Sequence, residues 1–383
     1  MSEDIDRRHH VQLRILVVGA GIGGLGLARA LGRLGITADV VERQTSWDQT
    51  GAGIYLPGNA VRALRMLGLE SAVMERAAPI PRQRICDHRG RLLSDIDLSA
   101  LWGGVGACVA LHRADLHEIL VSYGDGVRVR MGQSVRRVHQ RGERVTVEFG
   151  DGTTGEYDLV VGADGVHSTV RDLTFGASAV KPLGQRAWRF VTRCPTDVDT
   201  WSVFLGRAVS FLAIPIGGGR VYCYCDAPQD VGGGATRGPV TEELARLLTD
   251  FAGPVPAILE SVGPETAVHV GSIEEVTLDR WRSGSVVLIG DAAHATSPNM
   301  AEGAAMALED GLVLSECLAT GVPLPQALAS FEARRNPRTH WVRAQTHRRD
   351  RTRSMPPVVR NAVLRRWGTK IFHQNYRPLL QPP

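Results

Sequence analysis

The chain has 383 residues, 43% of them apolar and 22% charged, the composition of a folded globular protein with room for two or three domains. A formal net charge of +4 is too small to mark a nucleic-acid binder, and no apolar run is long enough to cross a bilayer. The polar stretch from Met1 to His10 has no hydrophobic signal region and reads as a disordered leader, so a cytoplasmic protein without a membrane partner is expected.

Leu13 to Val18 is a short apolar run that reads as a buried parallel strand. It passes into Gly19-Ala20-Gly21-Ile22-Gly23-Gly24, a G-x-G-x-x-G turn. Leu25, Leu27, Ala28, Leu31 and Leu34 then recur at helical spacing, and Gly35 stops the helix. A second strand runs from Thr37 to Val41 and ends at Glu42. In such a unit Gly19 makes the tight turn, Gly21 lets a pyrophosphate approach the backbone, and Gly24 lets helix and strand pack closely. The unpaired N–H groups at the helix start favour phosphate charge. Glu42, about 20 residues past the glycines, is placed to accept hydrogen bonds from a ribose diol. The set implies dinucleotide binding; the plain alternative is a strand–turn–helix that happens to be rich in glycine.

Gln44 to Asn59 reads as a polar, glycine-rich loop with backbone pressed near a ligand, and Asn59 as the cap of the next helix. Arg84 to Asp87 and Leu92 to Asp95 flank His88-Arg89-Gly90 as a hairpin. Leu111 to Leu116 opens a helix that carries Arg113, a partner for phosphate or for a neighbouring acid. Val127 to Val138 is strand-like, and Asp151-Gly152 turns a second hairpin. Leu159 to Ala163 is another buried strand, running into Asp164-Gly165 and a short helix with Ser168 and Arg171.

The texture then changes. Trp188 to Thr192, Trp201 to Leu205, Val209 to Ile214 and Arg220 to Cys225 are strands joined by Gly and Pro turns, the pattern of an antiparallel sheet in a second domain. On the last of them Tyr222 and Tyr224 share one face, and Val221, Cys223 and Cys225 the other. Gly232 to Gly238 reads as a flexible loop, and Glu242 to Phe251 as helical. Ser285 to Ile289 is a third buried strand, ending in Gly290-Asp291-Ala292-Ala293-His294. A loop with Pro298, a helix from about Ala304 to Leu318 and a long basic helix after Pro325 follow. Arg334 to Lys370 holds a single acid, Asp350; it reads as a solvated helix face or as a rim that attracts an anionic cosubstrate. The six cysteines lack metal-ligand spacing and read as reduced, buried thiols, with no metal site.

Taken in this order and spacing, three stretches resemble the single-component FAD-dependent aromatic hydroxylases, the para-hydroxybenzoate hydroxylase-like flavin monooxygenases. They are Gly19 to Gly24 with Glu42, Ala163 to Arg171, and Leu288 to His294. The urate and hydroxynicotinate hydroxylase branch is the most similar in length and in its Gly-Arg-Val-Tyr strand. The implied fold is α/β: a discontinuous Rossmann-like FAD-binding domain over 11–180 and 280–320, with an inserted hairpin at 82–98. An antiparallel-sheet substrate domain spans 181–279, and a C-terminal helical region 321–383.

The resemblance also implies roles. The glycines, Gly23 among them, hold the FAD pyrophosphate, and Glu42 with Arg43 the adenosine end. Tyr55 contacts FAD through its backbone, Arg113 lies near the phosphate and ribityl chain, and the Val135 backbone meets adenine. Asp164 belongs to a fingerprint tied to FAD and NAD(P)H, and Asp291 binds the ribityl hydroxyls. Ala301, Gly303, Ala304 and Ala305 supply backbone near the flavin pyrimidine ring, and Pro298 belongs to the same cofactor-binding set. Two departures stand out. Ala301-Glu302-Gly303 replaces a common Gly-Gln-Gly, and Ser210 stands where the urate branch carries a substrate-binding Arg, which points away from urate itself. Tyr222 and Tyr224 are the candidate substrate contacts, with Ser210. Tyr222 and His294 are the candidate proton handlers, although His294 lies in a run that commonly serves flavin binding.

The implied reaction is hydride transfer from NADH or NADPH to flavin, then reaction with O2 to a C4a-hydroperoxide that hydroxylates an aromatic or heteroaromatic small molecule. A monomer or homodimer is expected. The rivals are a flavin-dependent halogenase, a reductase or dehydrogenase, and a non-catalytic FAD-binding redox sensor. No Trp-x-Trp-x-Ile-Pro signature supports the first.

Overall fold

Three short runs of branched apolar residues, Ile15–Val18, Leu159–Gly162 and Val286–Leu288, are buried at every position. A strand with no solvent face is stable only between two layers, and these three lie side by side in parallel. In the computed structural model, which describes residues 13–47, 52–124, 126–176, 179–195, 198–231 and 239–383, they form the centre of a six-stranded sheet. Ala38–Glu42 and Val129–Met131 extend it in parallel on one side, and Arg282–Ser283 adds an antiparallel edge on the other. The leader at Met1 to His10 and the loop at Gly232 to Gly238 lie outside the described residues.

A seven-stranded sheet faces this one across a cleft. Its order is His269–Val276, Val180–Arg193, Arg220–Pro228, Ser210–Pro215, Trp201–Leu205, Arg82–Asp87 and Leu92–Asp97. The last two are the hairpin expected at 82–98. It does not stay with the nucleotide sheet: Arg82–Asp87 pairs in parallel with Trp201–Leu205 and so extends the sheet expected to serve the substrate. The alternation read from Arg220 to Cys225 holds, and the strand runs on to Pro228. Cys223 and Cys225 point into an apolar core with Trp188, Phe190 and Phe211, while Tyr222 and Tyr224 face the cleft. Cys86, Cys108, Cys223, Cys225 and Cys317 are free and buried.

Five local readings differ from the sequence. Gly53–Leu56 is a strand within the expected loop, paired with Val109–His112. Asn59 does not cap the next helix; Pro57 does, and Asn59 sits wholly buried inside Gly58–Met66. The strand-like stretch from Val127 to Val138 divides into Val129–Met131 and the start of Val135–Arg141, which belong to different sheets. The helix expected over Glu242 to Phe251 is Val240–Leu247. The basic C-terminal region is two helices, Leu324–Arg353 and Pro357–Tyr376, and the first sends Arg335 and Arg353 inward rather than leaving a uniformly solvated face.

Candidate active site

Gly19 adopts φ +101°, and a Cβ there would stand 2.5 Å from the Ala163 carbonyl oxygen. A Cβ at Gly24 would overlap the Gly19 carbonyl oxygen, so the helix Ile22–Arg33 packs on the strand only because both are glycine. At Gly21, by contrast, a Cβ would meet nothing within 4 Å. Two glycines are needed for packing and the third faces open space at a helix start, the shape that admits a pyrophosphate. Glu42 closes the turn: its Oε2 accepts from the Ala20 N–H at 3.0 Å and its Oε1 from the Gln44 N–H at 3.0 Å. Both oxygens keep lone pairs for a ribose, and Arg43 beside it is exposed. Val135 is buried at the start of its strand.

Asp164 uses both carboxylate oxygens on its own chain, accepting from the Ser168 hydroxyl and from the Val170 N–H. It thereby fixes the start of the helix Thr169–Phe175. Asp291 is different. It opens the short helix Asp291–His294 after Gly290, whose φ is +59°, and lines the cleft. Its carboxylate is reachable from the cleft yet walled by protein, and burial raises its pKa against the pull of His294 and Arg113. A carboxylate presented to a walled, solvent-filled space suits sugar hydroxyls. Arg113, the first residue of its helix, is exposed and close enough to act on both Asp291 and Tyr222.

Ala301 is the one residue other than glycine with positive φ among the described residues, at φ 52° and ψ 33°. An L-residue held there costs about 1–2 kcal/mol, so the Pro298–Gly303 turn is imposed by its surroundings. The turn aims the start of the helix Gly303–Ala319 at the cleft, and a Cβ at Gly303 would meet nothing within 4 Å. Those free N–H groups favour negative charge. Ala304 borders the cleft and Ala305 is buried behind it. Glu302, between Ala301 and Gly303, is 2% exposed. Its Oε2 accepts from Asn59 Nδ2 at 2.9 Å, its Oε1 has no partner, and burial pushes its pKa up to about 8.

The cleft widens into a cavity of about 490 Å³. Gly53, Tyr55, Asp291 and Gly303 border one end, and the inner faces of the seven-stranded sheet and of Pro357–Tyr376 the other. Tyr222 lies between. Gly53 makes room for it, since a Cβ at Gly53 would overlap the Tyr222 side chain. Burial pushes the Tyr222 hydroxyl up to about 12, with Arg189 near enough to pair with it. Tyr224 and Ser210 also border the cavity, but both donate to Asp226. Asp226 is fully buried and held in a fork by Arg353 at 2.6 and 2.7 Å. His294 turns away: its Nε2 lies 2.7 Å from Asp310, and its ring packs 4.9 Å from Trp281. Burial works to raise the Asp310 pKa, but His294 and Arg335 outweigh it and leave the carboxylate below its usual range.

Sequence reading missed Arg353, Arg189 and the buried Asn59–Glu302–Glu309 cluster. The basic run after Arg334 was visible; which arginines turn inward depends on contacts 127 residues away, as for Arg353 and Asp226.

A nucleotide cradle and an aromatic-lined cavity meeting at one carboxylate define an FAD-dependent monooxygenase that acts on aromatic substrates. Residues 12–346 match the FAD binding domain family, and the chain belongs to it. The chain is 33% identical over 339 residues to the aurachin C monooxygenase/isomerase of Stigmatella aurantiaca, covering 88% of each. It is 33% identical over 343 residues to the 2-heptyl-3-hydroxy-4(1H)-quinolone synthase of Pseudomonas aeruginosa, covering 87% of this chain and 88% of that one. The crystal structure of Klebsiella pneumoniae HpxO complexed with FAD and uric acid superposes with a TM-score of 0.87 at 28% identity over the whole of both chains.

Proposed function

We propose that the protein hydroxylates an aromatic or heteroaromatic small molecule lying between the Asp291–Gly303 end of the cavity and Tyr222. The observation that carries this reading is the single space shared by Asp291, the start of Gly303–Ala319, Tyr222 and Arg189. Residues 11–180 and 280–320 would hold FAD, and the sheet of 181–279, together with the hairpin at 82–98, would hold the substrate. Ser210 and Tyr224, committed to Asp226, shape the wall; Tyr222 and Arg189 are left to meet a polar group of the guest.

FAD, when bound, supplies hydride acceptance from NADH or NADPH and the activation of O2. The glycine turn would take its pyrophosphate, Glu42 and Arg43 its adenosine ribose, Asp291 its ribityl hydroxyls and the N–H groups after Glu302 its ring. Tyr222 stays protonated at neutral pH and so donates a hydrogen bond, which orients a phenolate or carbonyl oxygen. Apolar walls at Ile85, Val203, Leu212 and Ile214 keep water from the reacting ring. His294 positions the turn from behind through Asp310 rather than moving a proton in the cavity. The use of NAD(P)H and the five buried, free thiols support a cytoplasmic enzyme, acting as a monomer or homodimer.

The test is a panel of phenols, aromatic acids and nitrogen heteroaromatics, scored both by NAD(P)H consumption and by a product one oxygen heavier. At least one compound is expected to satisfy both. Consumption with peroxide release but no such product across the panel would favour a reductase.

A further inference from the structure

Two unmatched polar groups stand together in the cavity wall. Gln83 and Trp201 are paired residues on the parallel strands Arg82–Asp87 and Trp201–Leu205, and both line the cavity. Gln83 is 3% exposed and Trp201 4%. Gln83 Oε1, an acceptor, and Trp201 Nε1, a donor, have no hydrogen-bond partner. A buried donor and a buried acceptor are seldom left unmet, and here they are opposite in kind and side by side, on strands about 4.8 Å apart. Around them the wall is apolar, with Ile85, Val203 and Ile214, so no neighbouring side chain serves them. The Trp201 ring is fixed at 4.4 Å from the Tyr55 ring, which holds its N–H in place beside the strand that borders the flavin end.

We propose that Gln83 and Trp201 read the edge of a nitrogen heteroaromatic ring: Gln83 Oε1 accepts from the ring N–H, and Trp201 Nε1–H donates to the adjacent ring carbonyl. The substrate class is then a lactam such as a pyridone, quinolone or oxopurine. This assignment rests on the cavity being the substrate site.

The experiment compares 2-quinolinone, its N-methyl derivative, 2-naphthol and 2-naphthoate as ligands of the FAD-loaded protein, read by the change in flavin absorbance. 2-Quinolinone is expected to bind about tenfold or more tightly than the other three, the effect of leaving one buried polar group unmet. Trp201→Phe keeps the ring against Tyr55 but loses the N–H; Gln83→Met keeps the length but loses the acceptor. Each is expected to weaken 2-quinolinone binding about tenfold with flavin content unchanged, and Gln83→Met to abolish the preference for 2-quinolinone over its N-methyl derivative. Equal binding of 2-quinolinone and its N-methyl derivative, tighter binding of 2-naphthoate, no binding of 2-quinolinone, or an equal loss for all ligands in both variants would overturn the assignment. Failure of the protein to take up FAD at all would instead overturn the functional reading on which it rests.

Discussion

Replacing Glu302 with Gln separates what this side chain does by shape from what it does by holding a proton. Burial lifts its pKa from an ordinary 4.5 to about 8; the Asn59 hydrogen bond opposes the lift, Glu309 adds to it, and Arg338 and Arg349 oppose it. The folded protein therefore keeps a proton that the unfolded chain has already lost. Because the unfolded state binds fewer protons in that interval, stability falls as pH rises from about 4.5 and stops falling near pH 8. At about 1.4 kcal/mol per pH unit the ceiling is roughly 5 kcal/mol, and local relaxation brings the expected loss to about 2–4 kcal/mol. Gln has the same shape, still accepts from Asn59 and cannot ionise. Urea unfolding of flavin-free protein at about pH 5.5 and about pH 8.5 should show Glu302→Gln gaining about 2–4 kcal/mol on the parent between the two. Parallel stability profiles for the two proteins would refute the claim that Glu302 is a neutral acid in the fold.

Asp291→Ala should fold normally, by circular dichroism and melting, yet copurify with little or no flavin; full flavin content would remove Asp291 from the cofactor site. Tyr222→Phe should weaken binding of a turned-over aromatic ligand about tenfold, one hydrogen bond in a dry site, with flavin content unchanged; the reverse pattern would place Tyr222 on the flavin. Arg353→Met leaves Asp226 buried without its cation and should cost about 3–5 kcal/mol of stability, measured by denaturant unfolding; a loss under 1 kcal/mol would mean that water reaches Asp226.

The nucleotide half was legible because its signals are local. Four apolar residues before a glycine turn, and glycines at the three positions where a Cβ collides or a phosphate must fit, announce themselves within thirty residues. The second sheet was legible in part: alternation along Arg220 to Cys225 put Tyr222 and Tyr224 on one face, the face that lines the cavity. Pairing between distant strands was not. Nothing near Gln83 says that its strand will lie parallel to Trp201–Leu205, and so the donor and acceptor they present were invisible. The same holds for Asn59, whose local sequence suits a helix cap. Its burial beside Glu302 and Glu309 arises only when two helices 243 residues apart are packed together. Ser210 shows the limit of reading by resemblance. The missing strand Arg was noticed, but the fork of Arg353 on Asp226 behind Ser210 comes from a helix near the other end of the chain.

The central claim is that dioxygen is split at a flavin bordered by Asp291 and one of its atoms is placed on an aromatic ring held near Tyr222. The most direct measurement is turnover of an accepted aromatic compound under heavy-oxygen-labelled dioxygen with NAD(P)H, followed by mass analysis of the product. The account predicts one labelled oxygen per product molecule, and loss of that product in Asp291→Ala. Product carrying oxygen from water, or NAD(P)H oxidation that leaves every aromatic compound unaltered, would contradict it.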